Sequence, residues 1–417
     1  MSNFFPVRTN TSLSGAHGSG NTNTKINTRG CSVCGLYKTC KSPRMDVGGK
    51  GKKNILIIAE APGADEDKKG TQLVGEVGMY LEDHLNDFGM RLHQDFYKIN
   101  SINCRPPRNR APRPKEIIAC RKRVWNVIQE KKPKAIFLMG RCALHSFLHH
   151  RWSRDNLGKM ERWRGWHIPD RKTNCWVFPM YHPSFAMRNE GLLFEKLFLD
   201  DLEGAVKQYK KKLPKYTDER QYVKILTTRK ANEMLEKLLD DPPEMISIDY
   251  ETTGLKPHLQ GHEIVYCGIA TNSKCTYGFA YSKQIHKLLK QVLCSKKIKM
   301  SGHNIKFESS WSRAIFGAWP KRWVHDSMLA AHMEDNRRGA TGLKFLVYTR
   351  FGEVGYDDAV GPYLKGRGNL GANNFNTIKG ANPTEAKMYV ALDALYTYKI
   401  TKQQMGNKTN ETPEERI

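Results

Sequence analysis

The stretch MISIDYETTG, residues 245–254, places two acids at the end of an apolar strand. Asp249 and Glu251 flank Tyr250, and alternate residues of a strand point to the same face of a sheet. Two carboxylates on one face repel each other, and burying them without a cation costs stability. The stretch therefore predicts a sheet strand whose two acids bind a divalent cation, Mg²⁺ or Mn²⁺.

Three later stretches supply further polar residues that suit the same site. In SGHNIKFESSW, Asn304 and Glu308 share a face if a helix begins there. In VHDSMLAAHMEDN, Asp326 directly follows a predicted strand. In YVALDALYTY, Tyr389 and Asp393 are spaced i and i+4, so both project from one face of a helix. These residues are candidates to complete a cation site.

The motifs DYETTGL, HNIKFE and YVALD, in this order, resemble the proofreading 3′–5′ exonuclease domain of family A DNA polymerases. The resemblance covers about residues 222–405, and it is strongest to bacteriophage members of the tyrosine-type DEDD exonucleases. It implies a ribonuclease H-like α/β fold that cleaves nucleotides from DNA 3′ ends. Because the chain ends soon after the last motif, the resemblance also implies that the polymerase is a separate chain.

The resemblance implies a role for each polar residue of these motifs. Tyr389 would orient the attacking water. Asp326 is a reserve ligand, and capping of the following helix is its favoured alternative role. Two Mg²⁺ or Mn²⁺ ions would be held by Asp249, Glu251, Glu308 and Asp393. The departure from the family is Glu308, which stands where Asp is usual.

Composition restricts the partner and the compartment. Among the 417 residues, Lys and Arg outnumber Asp and Glu by 68 to 42, which gives a net charge of +26. This excess fits a polyanion, most simply nucleic acid. The sequence has neither a long apolar run nor the apolar core of a signal peptide, so we expect no membrane span. We expect a cytoplasmic protein, in the host cytoplasm if a bacteriophage encodes it.

The apolar pattern divides the chain into two α/β domains. The first domain contains short apolar runs that end in Gly or Pro loops, as in a parallel sheet. These runs are NILIIAEAPG, KAIFLMG and CWVFPMYHPS. Further on, MISIDYE, EIVYCGIAT and CTYGFAYS predict a meander of three strands, and Thr384 is a possible cap for a closing helix. The predicted segments are a disordered tail 1–30, a domain 31–208, a linker 209–221, a domain 222–405 and a tail 406–417.

Four cysteines of the first domain have metal-ligand spacing. Cys31 and Cys34 form a Cys-x2-Cys pair, and Cys104 and Cys120 form a much wider second pair. A zinc ribbon normally uses two tight pairs, so an iron–sulfur cluster is at least as good an interpretation. Cys40 is a possible substitute ligand, although a free surface thiol is the favoured interpretation.

The neighbouring segments AEAPGADED, INSINCRPPRNRAPRPKEIIAC and YHPSFAMRN resemble the family 4 uracil-DNA glycosylases. The resemblance covers about residues 31–208 and implies a parallel-sheet α/β/α fold with a 4Fe-4S cluster on Cys31, Cys34, Cys104 and Cys120. Leu73 stands where the family has an aromatic residue that stacks on uracil, so activity could be weak. The pocket residues that the resemblance implies are Glu60, Glu66, Leu73, Asn100 and His182.

The segment RPPRNRAPRPKEIIACRKR, residues 105–123, holds eight basic residues and one acid. Its prolines exclude a single helix, and its charge suits contact with DNA phosphates. A loop from Ser184 to Arg188 is expected to enter the duplex. The candidate DNA contacts are Arg105, Arg108, Arg110, Arg113, Ser184, Arg188 and Asn304.

Together these features predict a DNA replication or repair protein that works with a separate DNA polymerase. One alternative is a freestanding repair glycosylase and nuclease that needs no polymerase. Another is a polymerase accessory subunit that binds DNA through a vestigial glycosylase site. The nuclease motifs argue against a vestigial nuclease, because they keep Asp249, Glu251, Tyr389 and Asp393. They do not decide whether the glycosylase site is active.

Overall fold

The computed structural model describes residues 28–149, 152, 157–366 and 373–406. The chain divides into two compact units. The N-terminal unit comprises the described residues up to Lys215 together with Tyr348–Gly352. The C-terminal unit comprises Tyr216–Val347 and the described residues from Glu353.

The N-terminal unit is built on a five-stranded, mostly parallel sheet with strand order β2-β1-β3-β5-β4. The strands β1 and β3 are buried along their whole length, which explains their continuous apolar sequences. The edge strand β4 runs antiparallel to β5, so the sheet is mixed and not purely parallel as predicted. The strands are β1 Ile55–Ala59, β2 Phe96–Asn100, β3 Ala135–Met139, β4 Ile168–Asp170 and β5 Cys175–Met180.

Nine described α-helices belong to the N-terminal unit. The first of them contains residues 28–30, which the sequence placed in a disordered tail. Residues 1–27 and 407–417 of the two predicted tails lie outside the described residues. The helices are α1 Thr28–Cys34, α2 Ala64–Lys69, α3 Glu76–Asp87, α4 Leu92–Asp95, α5 Pro114–Lys131, α6 Gly140–Leu148, α7 Met160–Trp163, α8 Pro183–Met187 and α9 Leu193–Gln208.

The C-terminal unit has a six-stranded mixed sheet with strand order β11-β10-β7-β8-β9-β6. The strands β7, β8 and β9 form the predicted antiparallel meander. The strands β10 and β6 extend it by parallel pairing to β7 and β9. The strands are β6 Val223–Ile225, β7 Ile246–Thr252, β8 Ile264–Asn272, β9 Cys275–Ala280, β10 Met300–Gly302 and β11 Trp323–Asp326.

The closing helix α15 packs across β7, β8 and β9. Its buried residues lie on every side of the helix, as expected for a helix inside a domain core. Asn382 caps its first turn by accepting the Thr384 and Glu385 N–H groups, so the predicted capping role of Thr384 is wrong. The helices of this region are α10 Thr228–Asp240, α11 His286–Cys294, α12 Ile305–Phe316, α13 Ser327–Glu334, α14 Leu343–Phe351 and α15 Pro383–Gly406.

Two glycines let α15 approach the sheet closely. A Cβ atom built on Gly268 of β8 would overlap the Val390 carbonyl oxygen, and one on Gly278 of β9 would overlap the Lys387 carbonyl oxygen. The Thr276 hydroxyl also donates to the Ala391 carbonyl at 2.8 Å. This contact sets the depth at which α15 presents its side chains to the end of β7. None of the described helices has the length and apolar composition that crossing a membrane requires.

The glycine contact can be tested by substitution. Gly268→Ala should destabilise the C-terminal unit by about 3 kcal/mol, because the added methyl meets backbone that cannot rotate away. Thermal unfolding of the purified variant measures the loss. Gly361→Ala is the matched control, since a Cβ there has no described atom within 4 Å. Equal stability of the two variants would contradict the close approach.

Candidate functional sites

Three carboxylates converge at the end of β7 in the C-terminal unit. Asp249 and Glu251 project from one face of β7, and Asp393 projects from α15. One carboxylate oxygen of each lies within 4.8 Å of the others. Tyr250, between the two strand acids, points to the opposite face, where its hydroxyl lies 3.2 Å from the Ser312 hydroxyl. The alternation of a strand thus separates the acids from the core.

Burial and mutual repulsion act on these acids together. Burial raises the pKa of Asp249 well above its usual range, and the Asp393 charge raises it further. Burial also raises the pKa of Glu251 well above its usual range, with Asp249 as the next cause. A carboxylate whose charged form is disfavoured in this way gains from a nearby cation.

Two buried oxygen atoms beside the carboxylates have no hydrogen-bond partner among the described residues. One is Oε2 of Glu308, which lies in the first turn of α12, and the other is the hydroxyl of Tyr389. Burial raises the pKa of Glu308 well above its usual range, and the charge of Asp249 adds to the rise. Buried polar atoms normally have partners, so these two oxygens are suited to contact a bound ligand. Hard oxygen donors suit Mg²⁺ or Mn²⁺, and the residues present therefore fit such ions.

Asp326 has a structural role. Its carboxylate accepts the Met328 and Leu329 N–H groups at the start of α13. It also accepts the Asn304 and Ile305 N–H groups at the start of α12. One carboxylate therefore caps two helices, and the reserve assignment of Asp326 as a metal ligand is not supported by its contacts. Asn304 precedes α12 with φ 71°, so it does not share a helix face with Glu308 as predicted.

Two residues at this site were missed by the sequence reasoning. The Lys344 ammonium lies 2.5 Å from Asp393 Oδ1, and the Tyr356 hydroxyl donates to the same oxygen at 2.6 Å. Lys344 also donates to the Tyr356 hydroxyl at 2.8 Å. Neither residue belongs to the three motifs, and the signal that could have found them is the cluster of acids itself, which requires a nearby cation.

The N-terminal unit brings its polar candidates to one edge of the sheet. Glu60 directly follows β1, Asn100 is the last residue of β2, and His182 lies two residues after β5. The three strands are parallel, so their carboxyl ends meet at the same edge, where ligands bind in open α/β sheets. A Cβ atom on Gly140, at the end of β3, would lie only 3.0 Å from His182 Cβ. The absence of a side chain at Gly140 therefore makes room for the imidazole.

The His182 imidazole is held in one tautomer. Its Nδ1 accepts the Ser184 N–H at 3.2 Å, so the ring proton of the neutral form lies on Nε2. Burial lowers the pKa of His182 to about 4, with the Arg188 charge as a further cause. The imidazole is consequently neutral at physiological pH and presents an N–H donor. Ser184 thus orients His182, and residues 184–187 belong to α8, so the predicted loop is mostly helical.

Glu66 holds the loops around this edge rather than facing a ligand. Its Oε2 accepts the Gly63 N–H, and its Oε1 accepts the Val74 and Gly75 N–H groups. The carboxylate therefore joins the start of α2 to the loop that carries Leu73. Leu73 is buried with φ 54°, a left-handed conformation that is unusual for a side chain of this size.

Cys142 also lies at this edge, although it belongs to none of the motifs singled out in the sequence. It lies near the start of α6, and its thiol hydrogen-bonds the Glu60 carboxylate. Burial raises the pKa of Glu60, which the Cys142 contact and the Arg188 charge partly offset. The pair places a thiol beside the acid that follows β1.

The four cysteines with metal-ligand spacing lie in one region of the N-terminal unit. Cys104 is buried in an apolar cluster with Leu36, Ile102 and Ile117, and Cys34 and Cys120 pack against that cluster. The pKa of Cys120 is raised mainly by burial and further by the neighbouring Cys34 and Cys31 thiols. Cys40 also packs against the cluster and hydrogen-bonds Cys104, so it is not the free surface thiol expected. Thiolate ligands in an apolar setting fit an iron–sulfur cluster.

The basic segment after Cys104 divides between structural and exposed residues. Arg110 makes a bidentate contact to the buried Glu116 at 2.9 and 2.6 Å, so its assignment as a free DNA contact is not supported. Arg105 donates to the Asn109 side chain at 2.7 Å. Arg108 and Arg113 are exposed, as is Arg188 at the end of α8. These three candidates are accessible to a phosphate, as are Lys115 and Lys122 of the same segment.

Comparison with protein families divides the chain in the same way. Residues 45–203 match the uracil DNA glycosylase superfamily, and residues 222–409 match a 3′–5′ exonuclease family. Among solved structures, Trypanosoma brucei RNase D in complex with GMP is 16% identical with a TM-score of 0.37, and the match covers 46% of this chain and 59% of that chain. Escherichia coli RNase D is 15% identical with a TM-score of 0.33, and the match covers 44% of each chain.

Curated relatives establish the family of the N-terminal unit. A type-4 uracil-DNA glycosylase of Thermotoga maritima is 33% identical over 43% of this chain and 90% of its own length. One from Saccharolobus solfataricus is 33% identical over 39% of this chain and 74% of its own length. The chain therefore belongs through its N-terminal unit to the type-4 uracil-DNA glycosylases, and it carries a 3′–5′ exonuclease domain with a ribonuclease H-like fold.

Proposed function

We propose that this protein acts in DNA replication or repair, removing nucleotides from DNA 3′ ends and binding uracil in DNA. The observation that carries the proposal is the group of Asp249, Glu251 and Asp393 with the unpartnered Glu308 and Tyr389 oxygens beside it. A net charge of +26 supports a polyanionic substrate.

In the exonuclease reaction, the chain's residues position water and the terminal phosphate. The Tyr389 hydroxyl, which has no partner among the described residues, would accept or donate a hydrogen bond to the attacking water. The ligands of the divalent cations would be Asp249, Glu251, Asp393 and Glu308. When bound, such ions activate water and stabilise the charge on the leaving 3′-oxygen. A terminal nucleotide must leave its partner to reach a buried site, so frayed mismatches and single strands are the expected substrates.

Asp249→Ala should abolish Mg²⁺- or Mn²⁺-dependent release of nucleotides from a labelled 3′ end, because it removes a carboxylate from the centre of the group. DNA binding should persist, since the basic surface is unchanged. A gel assay with matched and mismatched ends measures the first effect, and a filter-binding assay measures the second. Digestion by the variant at the parent's rate would mean that the site lies elsewhere or that a contaminant cleaves the DNA.

Glu308 and Asp326 can be separated by a matched pair of variants. Glu308→Ala should lose cleavage at unchanged stability, and Glu308→Asp should retain activity because it keeps the carboxylate. Asp326→Ala should lower the free energy of unfolding by about 2 kcal/mol or more, since it uncaps two helices. Both cleavage and thermal unfolding are measured on each variant. If Asp326→Ala lost cleavage without losing stability, Asp326 would be the ligand.

In the glycosylase reaction, a flipped uracil would lie at the carboxyl ends of β1, β2 and β5. Asn100 would hydrogen-bond the uracil edge, and Glu60 with the neighbouring backbone would line the pocket. Water replaces the base at the deoxyribose, and negative charge develops on the departing uracil. The neutral His182 would stabilise that charge through its Nε2–H. Leu73 would supply apolar contact but no aromatic stacking.

The protein should release uracil from DNA slowly at most, because aromatic stacking is worth about 1–3 kcal/mol per base and Leu73 cannot supply it. Leu73→Phe should raise the rate in a labelled uracil-release assay if the pocket is otherwise intact. His182→Ala in the Leu73→Phe background is the control and should remove the gain. No release by either form, with DNA binding retained, would favour a vestigial pocket that serves for binding.

We also propose a 4Fe-4S cluster on Cys31, Cys34, Cys104 and Cys120. The burial of Cys104 in an apolar cluster and the packing of Cys34 and Cys120 against it support the proposal. Cys31 lies in the same helix as Cys34, three residues before it. Such a cluster would cross-link α1, the segment after β2 and α5, and so would hold the basic segment that begins at Arg105 against the unit. Its role here would be structural.

Protein isolated without oxygen should be brown and should contain about four irons per chain. Cys104→Ser should lose the colour and destabilise the N-terminal unit, whereas Cys294→Ser, in the other unit, should keep both. Metal analysis and visible absorption measure the outcome. Stoichiometric zinc without iron, after expression with iron supplied, would contradict the cluster.

The partner we infer is a separate DNA polymerase of bacteriophage type. The support is the likeness of DYETTGL, HNIKFE and YVALD to proofreading domains, whose substrate is a 3′ end that a polymerase has just extended. Affinity purification from the native source distinguishes a protein that works with a polymerase from a freestanding repair enzyme. Recovery of a polymerase supports the partnership, and recovery of the protein without one supports the freestanding enzyme.

A further inference from the structure

Lys344 occupies a place that is unfavourable for a lysine by itself. It is the second residue of α14, where the helix dipole repels a positive charge. Its ammonium lies 2.5 Å from Asp393 Oδ1 and stands 4.0 and 4.2 Å from the ring centroids of Tyr356 and Tyr389. Attraction of the ammonium to the carboxylate and to the two rings therefore offsets its repulsion by the helix dipole.

The charge of Lys344 acts on the whole group of acids. It contacts Asp393 Oδ1, and Asp393 has a carboxylate oxygen within 4.8 Å of oxygens of Asp249 and Glu251. In the absence of divalent cations, the lysine thus offsets part of the repulsion within the group.

The Lys344 side chain can also move away from Asp393. Its side chain keeps 21% of its surface exposed, whereas that of Asp393 keeps 6%. A long, flexible stem can carry the ammonium outward to water. Tyr356 donates to the same Asp393 oxygen at 2.6 Å, so the carboxylate keeps its orientation when the ammonium leaves.

We propose that Lys344 is a built-in counterion that neutralises the carboxylate group until divalent cations bind and that competes with them for it. The lysine is a positioning residue, since it acts through Asp393 and not on the DNA. It stabilises the metal-free protein and weakens metal binding, which keeps the acids arranged as ligands when no metal is present. This inference rests on the proposed exonuclease function, because it requires a site for divalent cations.

The test is Lys344→Met in the full-length protein, because methionine keeps an unbranched stem without the charge. Binding of Mn²⁺, followed by electron paramagnetic resonance of the free ion, should tighten roughly tenfold, since a positive charge close to the ions is removed. Without metal, the calorimetric midpoint of the transition that Mn²⁺ shifts in the parent should fall. At saturating Mn²⁺ the difference from the parent should close.

Two controls isolate the position of the charge. Lys344→Arg should behave as the parent, because it restores a cation at the same place. Lys402→Met removes an equal charge from α15, where Lys402 contacts the exposed Glu244 at 3.0 Å, and should leave Mn²⁺ affinity unchanged. If Lys344→Met does not fold, Lys344→Gln is measured in the same way.

Each other outcome is decisive. A midpoint lowered equally with and without Mn²⁺, at unchanged affinity, would show that the lysine is merely structural and would overturn the inference. Weaker Mn²⁺ binding would overturn it as well, since the lysine would then assist the metal. A parent that binds no Mn²⁺ would overturn the proposed metal-dependent exonuclease together with the inference, whereas a parent that binds Mn²⁺ leaves the exonuclease standing whatever Lys344 does.

Discussion

The repulsion among Asp249, Glu251 and Asp393 is the constraint on which the C-terminal unit depends. Bringing buried negative charges together costs several kcal/mol per ion unless a cation or donors compensate. The sheet and α15 nevertheless hold the three within 4.8 Å of one another, and the absence of side chains at Gly268 and Gly278 allows the helix to come so close. The packing of the core therefore determines the arrangement of the site.

At the edge of its sheet the N-terminal unit holds its polar side chains by hydrogen bonds and keeps the buried imidazole neutral. His182 has a pKa of about 4 and uses one ring nitrogen to accept from Ser184. Burial raises the pKa of Glu60, whose carboxylate contacts the Cys142 thiol. A neutral imidazole suits a ligand that becomes an anion only as the reaction proceeds, because its N–H donor does not need to be ionised beforehand. The C-terminal unit differs in that its site brings three carboxylates within 4.8 Å of one another.

Sequence periodicity predicts what depends on neighbours along the chain. Alternation places Asp249 and Glu251 on one face of β7, and the meander and closing helix follow from the same kind of pattern. Contacts between distant segments are not visible in this way. The capping of two helices by Asp326 and the approach of Lys344 to Asp393 both require the folded chain. The contact between Arg110 and Glu116 is local, but its spacing of six residues is not that of a helical pair, so the sequence pattern does not predict it.

The donors around a carboxylate distinguish an acid that builds the fold from one that can bind a cation. Asp326 accepts four backbone N–H groups with its two oxygens, and Glu66 accepts three, so neither has much capacity left. Asp393 differs, because both of its described donors, Lys344 and Tyr356, meet the same oxygen, Oδ1. Its other oxygen remains available for a ligand, and the donors on Oδ1 fix the direction in which it points. In this chain a carboxylate that accepts several backbone N–H groups stabilises the fold, whereas one that accepts none of them can bind a metal ion.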